Sequence, residues 1–164
     1  MTMISAALGA GLFFFGCVVA AAPADHAGTP AARGDARQPL YLLPMMAEHQ
    51  KQNMRDHLAA VNGIVAALAK GDFAAVNAAA KKLGTTPEMQ QMCLNFGAAT
   101  PGFSERALAF HATADTISAA ADSADTQKVL GALNATLDRC VSCHAVYRQE
   151  VVDQERWRQI NSVH

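Results

Sequence analysis

Aromatic side chains are scarce: they make up 6% of the 164 residues, with a single Trp and two Tyr. Three of the seven Phe fall together at Phe13, Phe14 and Phe15, in a leader segment. That leaves Phe73, Phe96, Phe103, Phe110, Tyr41, Tyr147 and Trp157 to fill a core otherwise rich in Ala. Small side chains let helices approach closely but occupy little volume, so a large flat apolar group would make up the deficit. An excess of charge of either sign is also missing. With 13 basic and 14 acidic residues the formal net charge is -1, which implies neither nucleic acid nor an acidic membrane surface as partner. No convincing strand run occurs, and no second Cys or His pair stands at zinc-ligand spacing. No hydrolytic constellation or substrate pocket is legible, so the sequence does not read as that of an enzyme.

The chain is one domain in length. Residues 1–24 carry no charge and contain an apolar run from Ile4 to Ala22, followed by Ala22-Pro23-Ala24 before Asp25. This reads as a signal peptide for export, although the usual basic front end is absent. An uncleaved membrane anchor and lipidation at Cys17 are the alternatives, since about 18 apolar residues also span a bilayer. Residues 25–40 hold Gly28, Pro30, Gly34 and Pro39 and read as a disordered linker.

From Leu42 to Lys70 apolar residues recur at three and four, through Met46, Gln50, Met54, Val61, Val65 and Leu68, which predicts a long helix ended by Gly71. Asp72 is placed to cap a shorter helix running to Leu83. Thr86-Pro87-Glu88 restarts a turn or two, carrying Met89, Met92, Cys93 and Phe96. Another long helix is expected from Phe103 to Ala121. After Asp122–Asp125 a last one carries Val129, Leu133, Leu137, Cys140, His144 and Tyr147. The pattern predicts an all-α protein, an antiparallel up-down-up-down four-helix bundle spanning residues 41–155. Residues 156–164 form a tail. Whether the stretch from Glu150 extends the last helix or wraps elsewhere is open in the pattern.

The chemistry sits at Cys140-Val141-Ser142-Cys143-His144. Two thiols three apart with an imidazole at once after them form a haem-attachment signal: the sulfurs add to the vinyl groups and the histidine ligates the iron. Residues three and four apart share a helix face, so all three side chains can reach one macrocycle. A thioredoxin-like dithiol would call for alternating strand and helix, and half a zinc site for a second ligand pair. Export agrees with haem attachment outside the cytosol.

Within a final helix, and followed by Ala145-Val146-Tyr147-Arg148, this motif resembles the class II cytochromes c, which include cytochrome c-prime and its low-spin Met/His-ligated relatives. A weaker likeness lies in Asn53-Met54-Arg55-Asp56-His57-Leu58 on the first helix. The resemblance implies one covalent haem c near the C-terminus, with Cys140 and Cys143 in thioethers, His144 as proximal iron ligand, and Arg148 near the haem edge or a propionate. On physical grounds alone Arg148 reads equally as a solvated charge. The family divides on the sixth ligand. A first-helix Met gives a low-spin electron relay, and an open site binds nitric oxide or carbon monoxide for sensing or detoxification. Met54 is the first candidate, with Met46, His57 or an open site as alternatives. The resemblance therefore implies a periplasmic mono-haem carrier of single electrons between redox protein partners. Dimers are common in that family, and Cys93 is either a small buried residue or a link between two chains. His49 and His111 read as polar residues at helix edges.

Overall fold

A computed structural model describes residues 34–162. The expected export signal, the lipidation site at Cys17 and most of the expected linker lie outside the described residues. Among these, no helix is long and apolar enough to cross a membrane.

The described chain is mostly helical. A short strand β1 (Gln38–Leu42) leads into α1 (Pro44–Leu68), α2 (Phe73–Ala80), α3 (Pro87–Gly97), α4 (Phe103–Ala121) and α5 (Thr126–Val146). A second strand β2 (Tyr147–Val151) and a two-turn helix α6 (Gln154–Asn161) follow. Local sequence sets most of the helix starts. Asp72 accepts from Ala75 N at 2.9 Å, Thr86 from Met89 N at 3.2 Å, and Asp125 from Gln127 N and Lys128 N at 2.9 and 3.2 Å. Each occupies donors that a first turn would leave unmet. α1 has no such side chain and begins on Pro44, whose fixed φ and missing N–H suit the first helical position. α4 starts from Gly102 at φ 74°, a left-handed conformation that favours glycine.

α1 packs on α2, α2 on α4, and α4 on both α3 and α5. Ile64, Val76, Leu83, Ile117 and Val129 are fully buried at the centre of this assembly. The α3–α4 corner is tight: a Cβ at Gly97 would stand 2.9 Å from Ser104 N.

The two strands correct the expectation that the chain has none. β1 and β2 pair in parallel, from Gln38↔Tyr147 to Leu42↔Val151. Their partner is more than 100 residues away in each case, and five residues are too few for a periodic signal, so neither strand announces itself locally. Leu40 and Leu42 alternate inward and join Ala47, Phe103 and Tyr147 in a second buried cluster. The expected disordered linker is accordingly wrong at its end, because residues 38–40 are in β1. The last long helix stops at Val146, so Tyr147 and Arg148 stand on a strand and not one helical turn past His144. Beyond β2, Asp153 caps α6 by accepting from Arg156 N at 2.8 Å, which gives the tail a helix of its own.

Candidate haem-binding site

A cavity of about 890 Å³ opens between α1, α3, α4, α5 and β2. That volume is in the range of cofactor sites. Cys140, Cys143 and His144 line it from α5, Met54 from α1 and Arg148 from β2, so all five residues singled out in the sequence meet at one place. Met46 does not. It packs against the Leu40–Leu42–Phe103–Tyr147 cluster, about one turn before the cavity-lining Gln50.

Cys140 and Cys143 are half-buried free thiols, and His144 is exposed. Burial pushes both thiol pKa values up from the usual value; the neighbouring Cys143 adds to the effect at Cys140, and Arg106 opposes it at Cys143. A redox-active dithiol depends on a depressed pKa that supplies thiolate, and this environment does the opposite. Among the described residues no three His, Cys, Asp or Glu side chains converge as they would around a metal ion. The groups able to hold a metal-bearing cofactor are thus the two thiols, the His144 imidazole, and the Met54 thioether and His57 imidazole facing the same space from α1.

The far wall carries groups that sequence reasoning undervalued. His111 is 5% exposed and not at a helix edge. Its Nδ1 lies 2.7 Å from Leu83 O, which fixes the proton on Nδ1 and leaves Nε2 as the basic nitrogen. The His57 ring sits 5.4 Å from that of His111 and 5.0 Å from Phe110. Burial, with His111 as a second cause, lowers the His57 pKa to about 4 against a small opposing effect of Asp56. Burial also lowers that of His111, opposed by the Leu83 carbonyl and Asp115. Both imidazoles are therefore neutral at pH 7. The signal for His111 was present in its place one after Phe110 on the apolar stripe of α4, but a stripe does not say which polar neighbour turns inward.

On α3, Met89, Met92, Cys93 and Phe96 recur at helical spacing and all line the cavity. Asn53 Nδ2 reaches Met92 Sδ at 3.1 Å, tying α1 to α3 across it. Cys93 is buried beside Met89, with Sγ 3.6 Å from Sδ, and burial raises its pKa. His49 is exposed, with its ring edge on Phe96.

The strand pair secures the end of α5. Arg37 Nη1 donates to His144 O at 3.1 Å and to Tyr147 O at 3.4 Å, meeting carbonyls that the helix end leaves open. Asp35 holds the same guanidinium at 2.6 Å, and that hydrogen bond lowers the Asp35 pKa to about 2. Tyr147 Oη donates to Pro101 O at 3.0 Å, and its ring stands edge-on to Phe103 at 5.4 Å. Gln149 Nε2 donates to Gln50 Oε1 at 2.6 Å, joining β2 to α1. Arg148 Nη1 pairs with Glu150 at 2.7 Å, while its Nε is buried with no hydrogen-bond partner. A buried guanidinium N–H left unmet costs on the order of 1–3 kcal/mol, more for a charged group, so an acceptor is wanted there. No protein-family model, no curated protein and no solved structure matches the chain.

Proposed function

We propose that this chain is an exported mono-haem c-type cytochrome of the class II kind, a four-helix bundle built from α1, α2 with α3, α4 and α5, that carries single electrons between redox proteins. The observation that carries the reading is the meeting of Cys140, Cys143 and His144 with Met54, some 86 to 90 positions earlier in the chain, around one cavity. A haem fits the residues present. Its bulk suits the cavity, and its propionates could supply the acceptor that Arg148 Nε lacks. Cys140 and Cys143 would hold it by thioethers, and His144 nitrogen and Met54 sulfur would be the donors to its iron. When bound, it supplies reversible one-electron chemistry at iron.

The chain's own part is to bind and orient the group. Arg37 fixes the carbonyl end of the helix that presents His144. Phe103, Phe110 and Leu40 give the cavity apolar walls. His57 and His111 stay neutral and add no charge beside it. Neutral sulfur and imidazole donors raise the reduction potential, which suits an electron acceptor. The protein is read as a carrier and not an enzyme.

One observation favours a second reading, an open-sided haem that captures nitric oxide or carbon monoxide: Met54 is 39% exposed. An optical spectrum of the purified protein separates the two. A haem-bearing, low-spin ferric and ferrous spectrum unaltered by carbon monoxide supports the carrier. A high-spin spectrum that shifts with the gas supports capture. Protein without covalent haem sinks both.

A further inference from the structure

The overall charge balance of -1 conceals a segregation. Among the described residues, eight of the 12 basic side chains line the cavity, against two of the 13 acidic ones, Asp35 and Asp56. Arg37, Lys51 and Arg148 have acidic partners in Asp35, Glu48 and Glu150. The remaining five, Arg55, Lys81, Lys82, Arg106 and Arg139, are exposed and make no ion pair among the described residues. They come from α1, the end of α2, α4 and α5, so no basic run longer than Lys81-Lys82 marks them in the sequence. A cavity lined by one sign of charge with low-dielectric walls focuses its field outward. With Glu48 and Glu150 counted beside Asp35 and Asp56, four positive charges remain in excess, and two propionates inside the cavity would match half of them.

We propose that the basic rim of this cavity is the docking face for an acidic redox protein, whose carboxylates meet Arg55, Lys81, Lys82, Arg106 and Arg139. The inference rests on the electron-carrier reading and names the partner's chemistry. Opposite charges at such a rim steer encounter and fix orientation, and rim pairs act on the association rate more than on the lifetime of the complex.

The haem content of the whole protein is measured first. The reduced protein is then mixed with ferricyanide, each molecule giving up one electron as one ferricyanide becomes ferrocyanide and no proton moves. Raising ionic strength from about 0.01 M to about 1 M shortens screening from about 30 Å to about 3 Å. Across that range the ferricyanide rate should fall about tenfold. With the trivalent cation cobalt tris(phenanthroline), which takes one electron in the same way, the rate should rise. Lys81→Glu with Lys82→Glu should flatten both trends and leave the haem content and the optical spectrum unchanged, and the milder Lys81→Gln with Lys82→Gln should do so in part. Poly-L-glutamate should slow ferricyanide and poly-L-lysine should not. A haem-bearing protein whose rates ignore salt, or follow the overall charge instead of the rim, overturns the docking face and leaves the carrier reading intact. Stronger binding to phosphatidylserine vesicles than to poly-L-glutamate assigns the rim to a membrane and overturns it too. A protein without haem removes the carrier reading, and the docking face with it.

Discussion

Arg37 Nη1 and His144 O lie 3.1 Å apart although 107 residues separate them in the chain. The contact puts a cation on the carbonyl end of α5, where the helix dipole is negative, at the residue expected to ligate iron. Arg37→Ala should lower stability, and Arg37→Lys should lower it by less. Thermal melts at low and high salt check this, because a charge contact at the surface weakens with screening. An unchanged melting temperature at low salt removes the capping role.

Met54 and His57 both face the cavity from one turn of α1, so the sixth position has two nearby donors. Met54→Ala should move the reduction potential downward by on the order of 0.1 V, within the ~0.8 V that axial ligands command. It should also open the iron to carbon monoxide. Should the ferric spectrum remain low-spin with the potential lowered, His57 has taken the vacated place. No change in either property makes Met54 a packing residue.

His57 governs a pH dependence. Its folded pKa of about 4 lies below the ordinary imidazole value of 6.5, so on acidification the unfolded chain binds the proton first. The contribution is complete above about pH 6.5 and is lost as pH falls toward about 4, reaching on the order of 2–3 kcal/mol. His57→Gln should flatten that acid slope in denaturant titrations. A wild-type slope identical to that of the variant would show that the imidazole charges freely in the folded protein.

Cys140→Ser with Cys143→Ser should give exported protein with no haem retained on a denaturing gel. A cofactor-filled core lost in this way also costs packing, so the variant should melt earlier and less cooperatively. Haem that remains covalently attached places the linkage on Cys93 or elsewhere.

The motif from Cys140 to His144, the long helices, the cap at Asp72 and the helix starts at Thr86 and after Asp125 were legible because each depends on neighbours within a turn or two. Helix periodicity, side-chain caps and the thiol–imidazole spacing are local physics, written in consecutive residues. Met54 was legible only as a donor on an apolar stripe, since periodicity marks a buried face without saying what it faces. What only the tertiary structure decided depends on distant partners. Arg37 and Gln38 read as linker until β2 supplies a backbone to pair with and α5 supplies open carbonyls. Tyr147 and Arg148 leave the helix because that same pairing competes with another helical turn. His111 turns inward because Leu83 O, from the chain after α2, waits for its Nδ1. The five unpaired cations become one rim only when four separate segments converge, as charge adds over space and not along the chain.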